Sequence, residues 1–507
     1  MAMRSFFHNL NRNVRPTIGR IWWRSISSYR QSSPPNKISR RRGLHLKDLI
    51  CGLPFSRGSA TTVLQNWVDE GRKVLVSELR RISRQLMSRR HYKHAFEIIT
   101  WMEVHNGYSI SATDHGMKLE LIIKMGNLKE GEEYFANMPY VSQKAGYPIL
   151  LRSCVKEKDT EKAEALMVRM SGLGLTVNPH PFNEMMKLYM ATSQFGKVPS
   201  VILEMKQKNI LRNVLSYNLW MGACYAVSGV ASAEMVYKEM RRDKDVEVGW
   251  STLSTLADIY LKSGFLEKAK LALQNAERKL STTKRLGYFF LITLYASAEN
   301  KDGVLRLWES SKAVEGKITS ANYMCILLCL VKLGDIGEAE KVLMQYESEC
   351  RKYDIRVSNV LLGAYMRNGL MEKAESLHNR TLEKGGSPNY KTWEILMEGW
   401  VRSQNMDKAI DAMKKGFALL KRCDWRPSPT IVVAIADFFQ KSGNFEDAKH
   451  YLKVTRRFGL ANLPVYKSLL RMHASTQQPV QEIFRMMEED GIEIDDETSA
   501  LLQPFKV

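Results

Sequence analysis

The sequence predicts an all-α fold, a right-handed α-solenoid of about twelve helix-turn-helix repeats of about 35 residues each. Three observations carry this expectation. A small residue recurs at near-constant spacing along most of the chain. A basic-x-Gly turn stands at a fixed distance before many of these small residues. The apolar residues on either side of the turn fall at helical spacing rather than in alternation. Length agrees: at 507 residues the chain exceeds the ~250–300 residues beyond which single cores stop growing, whereas stacked repeats bury one continuous core.

The small residues are Ala95, Gly131, Ala163, Val198, Ala233, Ala269, Val304, Ala339, Ala374, Ala409 and Ala448. Eight of the ten gaps between them are 35 or 36 residues. The turns read KMGNLKEGEEYF (124–135), KSGFLEKAKLAL (262–273), KLGDIGEAEKVL (332–343), RNGLMEKAESLH (367–378) and KSGNFEDAKHYL (441–452). Within one repeat the first helix is apolar at helical spacing, as in Tyr217, Trp220 and Cys224. The Gly then supplies the left-handed residue that ends it. The second helix opens with acids, which suit its N-terminal dipole, and its small residue lets the two helices approach closely. A twelfth, drifting copy runs from Pro464 to Asp495.

Before the array, residues 1–47 contain nine Arg, two Lys and no acid, so they hold more than half of the net charge of +21. An Arg- and Ser-rich, acid-free start with Phe6, Phe7, Trp22 and Trp23 interspersed reads as an organellar transit peptide, with Arg favouring the mitochondrial matrix over the chloroplast. A basic nucleic-acid-binding arm is the alternative. Residues 48–76 read as a linker or N-terminal cap, 77–495 as the repeat array and 496–507 as a tail. With 44% hydrophobic residues, 31 Gly and 15 Pro, disordered and collagen-like classes are excluded. No apolar run reaches the ~18 residues of a membrane span. Seven cysteines without a C-x-x-C do not form a secreted disulfide scaffold.

The 35-residue period, the K-x-G-x-x-x-x-A turn and the starts PFNEMMKLY (181–189), LSYNLWMGACY (215–225), ANYMCILLCL (321–330), RVSNVLLGAY (356–365) and KTWEILMEGW (391–400) resemble pentatricopeptide repeat proteins, and the segment 63–102 looks like the lead-in of their plant organellar P-type members. The tetratricopeptide repeat fits less well, because its W-x2-L-G-x2-Y signature is absent. The resemblance implies that each repeat reads one base of single-stranded RNA, through the fifth residue of the first helix supported by the last residue of the repeat. Carried over, Asn183 with Asn213 and Asn359 with Asn389 match pyrimidine-reading pairs. Asn218 with Gly249, Met324 with Asp354, Pro148 with Asn178 and Lys467 with Asp495 are further reading positions, atypical or only partly legible against the family's pairs. The family prefers a branched aliphatic three residues before the reading one. Leu215 and Leu286 satisfy this, whereas His180, Ser251, Arg356, Lys391 and Pro464 depart from it.

Eight residues after the reading position, seven of twelve repeats carry a cation: Lys124, Lys156, Lys262, Lys332, Arg367, Arg402 and Lys441. Stacked, these would form a phosphate-tracking stripe. Cations also favour helix C-termini for purely structural reasons.

No Walker loop, zinc-deaminase signature or paired carboxylates suggest catalysis, and no cofactor is expected. Cys325 and Cys329 read as core, and His91, His94 and His105 as surface residues rather than metal ligands. The reading is a non-catalytic RNA-binding protein of mitochondrial RNA metabolism. A protein-interaction scaffold, or a component associated with the mitochondrial ribosome, is the alternative.

Overall fold

A computed structural model describes residues 45–53, 58–105, 110–420, 426–476 and 480–502. Every regular element among them is a helix. The chain divides into two units, one up to Lys279 and one from Leu280 onward.

The first unit opens with α1 (Leu46–Cys51) and α2 (Ala60–Asp69), which lie in the stretch read as linker or cap. Leu46, Ile50, Ala60 and Leu64 join the buried cluster of the first repeat, so this stretch packs against the array. Six hairpins follow: α3 (Val76–Ser88) with α4 (Tyr92–Val104), α5 (Ala112–Met125) with α6 (Leu128–Ala136), and α7 (Tyr140–Glu157) with α8 (Thr160–Gly172). Then come α9 (Pro179–Ala191) with α10 (Lys197–Gln207), α11 (Val214–Ser228) with α12 (Val230–Arg242), and α13 (Trp250–Lys262) with α14 (Leu266–Arg278).

The second unit holds six more. They are α15 (Leu286–Ser297) with α16 (Lys301–Lys312), α17 (Ser320–Lys332) with α18 (Ile336–Glu349), and α19 (Ile355–Arg367) with α20 (Met371–Glu383). The last three are α21 (Tyr390–Arg402) with α22 (Met406–Leu420), α23 (Pro429–Ser442) with α24 (Phe445–Arg457), and α25 (Leu463–Thr476) with α26 (Gln481–Glu489). A short α27 (Asp496–Leu502) occupies the stretch read as tail. Of the segment read as a transit peptide, only residues 45–47 are among those described.

The periodic small residues explain why each pair folds back. All lie on second helices, and all are buried. At Gly131 an added methyl would sit 2.3 Å from Ile123 Cγ1, so contact at the crossing leaves little room. The turns behave as the sequence implies at Gly334 (φ 75°) and Gly369 (φ 72°), which take the left-handed conformation that ends the first helix. Gly126 differs, with φ −104°; Glu130 crowds it, and a side chain there would collide with that carboxylate.

Within each unit, first helices pack directly on the first helices of the next hairpin, as α9 does on α11 and α19 on α21. A recurring polar staple joins successive hairpins. In the first unit Tyr189 Oη donates to Glu164 at 2.8 Å, and Lys197 Nζ reaches the same oxygen at 2.8 Å. Tyr260, Glu234 and Lys268 repeat it at 2.8 and 2.8 Å. In the second unit Tyr365, Glu340 and Lys373 do so at 2.7 and 2.9 Å. In each case the acid directly follows the small residue, while the tyrosine and lysine come from the next repeat. A chain of edge-to-face aromatic contacts (Phe289, Trp308, Tyr323, Tyr346, Tyr353; centroids 5.3–6.1 Å apart) adds to the core of the second unit.

Cys325 and Cys329 are buried, as read. His94 is not the surface residue expected: it is fully buried, with Nε2 3.1 Å from the carbonyl of Gly58, two residues before α2. Among the described residues no cluster of three or more His, Cys, Asp or Glu has metal-binding geometry, and no helix is long and apolar enough to cross a membrane.

Two outcomes are expected from this packing. Ala339→Leu overfills the α17–α18 crossing and destabilises the chain by about 1–3 kcal/mol, read from the urea midpoint, whereas Val168→Leu at an exposed site does not. Hydrogen bonding by Lys373, opposed by desolvation and aided by Tyr365, holds the Glu340 carboxyl below its ordinary value of 4.5. A depressed carboxyl stabilises above its unfolded pKa and loses that contribution as pH falls through the folded value. Glu340→Gln should therefore lower stability at neutral pH, with the difference from wild type closing as pH falls below 4.5.

Candidate functional site

The first-helix layer carries the residues read as functional, in three bands set by helix geometry. The N-cap and the third helical residue stand at one end, the reading residue one turn in, and the cation in the last turn.

In the first unit the N-cap Asn213 of α11 accepts from Ser216 N at 3.0 Å, and its own N–H bonds Ser216 Oγ at 3.2 Å. This capping box satisfies two helix-end donors. Asn183, on α9 of the preceding repeat, joins it. Its Nδ2 donates to Asn213 Oδ1 at 3.2 Å, and its Oδ1 accepts from Ser216 Oγ at 2.8 Å. The second unit repeats the arrangement. Asn389 caps α21 through Thr392 (3.1 and 3.2 Å), Asn359 Nδ2 donates to Asn389 Oδ1 at 3.5 Å, and Thr392 Oγ1 donates to Asn359 Oδ1 at 3.1 Å. Thus both amide pairs singled out in the sequence meet in space. They are also buried, with Asn183 1% and Asn359 7% exposed.

The same positions take other chemistry elsewhere. In the first repeat Arg80 forms a bidentate pair with Asp114 (Nε–Oδ1 2.9 Å, Nη2–Oδ2 2.6 Å), and Asp114 also closes the capping box on Ser111. Burial would raise the Asp114 carboxyl, but the bonds from Arg80 and Ser111 outweigh it and hold the group below the usual range. In the last repeat Lys467 reaches both Asp495 (2.5 Å) and Glu497 (2.7 Å), which neutralises that reading position. Met324 is buried and carries no hydrogen-bond donor. Its partner Asp354 caps α19 and is held by Arg356 at 2.6 and 2.8 Å. Asn218 faces Gly249, which has no side chain, and its Oδ1 is buried without a partner among the described residues. Pro148, and Gly116 one repeat earlier, offer no polar side chain. Beside them opens a cleft of about 500 Å³ lined by Arg84, Glu120, Lys124 and Arg152.

All seven cations lie in the last turn of a first helix, and all are exposed. In the second unit, neighbouring positions of this register come within reach of one another. Lys332 Nζ bonds Ser297 Oγ, the equivalent residue one repeat earlier, at 3.1 Å. Partial desolvation by the surrounding helices, although the side chain stays exposed, and then the Arg402 cation, one repeat on, lower the Arg367 guanidinium from its ordinary value. Lys124 lines the same cleft as Arg84 and Arg152. Acids temper the stripe in places: Lys124 pairs with Glu120 at 2.6 Å, Lys156 with Glu157 at 3.2 Å, and Lys262 with Asp258. Lys156 and Lys441 are equally exposed at their helix ends.

The residues that sequence reasoning passed over are Ser216, Thr392 and Asp114. The signal was present: each stands three residues after an N-cap Asn or Ser, the capping-box spacing.

The pentatricopeptide repeat model matches residues 149–175 and 357–386. A pentatricopeptide repeat-containing protein of Arabidopsis thaliana is 53% identical over 474 residues, covering 92% of this chain and 96% of that one. A second Arabidopsis relative, named as a mitochondrial pentatricopeptide repeat-containing protein, is 30% identical over 472 residues, covering 92% of this chain and 87% of that one. The Arabidopsis large ribosomal subunit protein mL101 (rPPR4) is 33% identical over 424 residues, covering 83% of this chain and 86% of that one. Among solved structures, maize PPR10 in complex with an 18-nt psaJ RNA element superposes with a TM-score of 0.52 at 16% identity, covering 87% of this chain and 68% of that one. The fold is thus an α-solenoid, and the chain belongs to the pentatricopeptide repeat family.

Proposed function

We propose that this chain binds single-stranded RNA in the mitochondrial matrix and acts there in transcript stability, processing or translation, without catalysing a reaction. In this reading residues 1–47 serve import, residues 77–495 form the binding array, and residues 496–507 are a tail. The observation that carries it is the register of the cations. Lys332, Arg367 and Arg402 stand at one helical position in consecutive repeats, and neighbouring positions in the stripe touch or influence one another. A polyanion with evenly spaced charges fits such a row. On α19 and α21 the paired amides Asn359 and Asn389 precede Arg367 and Arg402 by about two and about three and a half turns, where bases of that strand would be read; Asn183 and Asn213 take the same register on α9 and α11, which carry no stripe cation. Family membership, the RNA complex of maize PPR10 and the mitochondrial relatives support the same reading.

One specific finding favours a second reading, in which the array is a scaffold attached to the mitochondrial ribosome: the relative mL101 is a large-subunit protein. The burial of the reading amides suits that role as well.

Filter binding of single-stranded RNA across a salt series separates the two. RNA binding predicts a steep fall of affinity with salt. Each phosphate contact contributes about −0.7 to the slope on single strands, so Lys332→Glu, Arg367→Glu and Arg402→Glu together should flatten the slope by about 2. A shallow slope unchanged by these substitutions would contradict RNA binding and favour the scaffold.

A further inference from the structure

The hydroxyls of Ser216 and Thr392 do more than cap helices. Ser216 is fully buried, and its Oγ already accepts from Asn213 N–H at 3.2 Å. A hydroxyl has one proton, and here the shorter of its two contacts is to Asn183 Oδ1, at 2.8 Å against 3.2 Å to Asn213 Oδ1. Asn213 Oδ1 is fixed as an oxygen, because it accepts the backbone N–H of Ser216 at 3.0 Å. Turning the Asn183 amide over would place two carbonyl oxygens face to face, 3.2 Å apart by the position of Nδ2 now. The serine proton could then go only to Asn213 Oδ1, its longer contact at 3.2 Å, and would leave the two facing carbonyls unrelieved. One orientation therefore survives, with Oδ1 consumed and one Nδ2 hydrogen given to Asn213. The second Nδ2 hydrogen has no partner among the described residues.

The other unit repeats the logic with threonine. Thr392 is fully buried, accepts from Asn389 N–H at 3.2 Å and donates to Asn359 Oδ1 at 3.1 Å. The chain also contains a contrasting case. At Asn218 the cap position is Gly249, and both Asn218 Oδ1 and Thr252 Oγ1 are buried without partners among the described residues. Without the cap amide, the hydroxyl of the following repeat does not engage the reading residue.

We infer that Ser216 and Thr392 are positioning residues for base specificity: each locks the reading amide of the preceding repeat so that it offers a hydrogen-bond donor, and no acceptor, to an RNA base. Asn183 and Asn359 then favour bases with a keto oxygen on that edge (uracil, guanine) over bases with an amino group there (cytosine, adenine), whereas Asn218 is unlocked and accepts a broader set. This inference rests on the RNA-binding reading above and refines it.

The test is selection from a randomised single-stranded RNA pool on the full chain, with Ser216→Ala, Ser216→Thr and Thr392→Val alongside wild type. Affinity for the unselected pool and the thermal midpoint are measured on each. Wild type should enrich a keto base, uracil or guanine, over cytosine and adenine at two positions five repeats apart. Ser216→Ala should weaken the preference at the first position alone by about three- to tenfold, the worth of one hydrogen bond, and Thr392→Val at the second alone. Ser216→Thr should keep the preference, and pool affinity should stay within about twofold of wild type in all three. Unchanged preference in Ser216→Ala and Thr392→Val would overturn the positioning role while leaving RNA binding intact. A uniform loss of pool affinity and midpoint, with preference kept, would reduce both hydroxyls to stabilising caps and overturn it too. A wild-type chain that binds no RNA would remove the functional reading itself.

Discussion

One small residue per repeat, at the point where two helices cross, sets the rest of the structure. Ala339 and its ten counterparts are buried because the facing first helix leaves space for little more than a methyl group. Close crossing fixes the angle within each hairpin, and the recurring spacing passes that angle on. The acid after the small residue then meets a tyrosine and a lysine of the next repeat, as Glu340 meets Tyr365 and Lys373. Surface ion pairs contribute little singly, but this one shares its oxygen with a largely buried phenol and recurs in register. Its role is orientation of neighbouring hairpins more than bulk stability.

The functional layer follows from that orientation. When first helices stack at a constant offset, equal positions in successive repeats fall beside one another, and a pattern written once per repeat becomes a row. The last-turn cations form one such row and the reading residues another. A buried amide must be paired, and Asn183 and Asn359 meet the requirement by borrowing the capping box of the next repeat. In the proposed reading, base specificity and helix capping draw on the same side chains. The ends of the array are built otherwise. Arg80 with Asp114, and Lys467 with Asp495 and Glu497, fill the same positions with ion pairs that have no amide to offer.

Much of this was legible in the sequence because it is periodic. The small residues, the left-handed Gly334 and Gly369, and the helix-end cations all repeat at one spacing and depend on local geometry. The pairing of Asn183 with Asn213, thirty residues apart, was legible only through resemblance, since nothing in the spacing alone joins them. Features that arise from one three-dimensional neighbour were not readable. Burial of His94 needs Gly58, the helical Leu46–Cys51 and Ala60–Asp69 segments are fixed by packing on the first repeat, and the ion pair of Arg356 with Asp354 engages a residue that the resemblance implied as a reading partner. Ser216 and Thr392 fell between these cases: their capping spacing was visible, but their bond to the previous repeat was not.

The claim on which the account turns is that the layer of first helices is the surface that meets RNA. Ultraviolet cross-linking of the full chain to single-stranded RNA, followed by peptide mapping, tests it directly. The account predicts cross-links on the first helices, chiefly α9, α11, α19 and α21 and the cation-bearing turns that end α17, α19 and α21. Cross-links confined to second helices such as α10, α18 and α20, or distributed without regard to the layer, would contradict it.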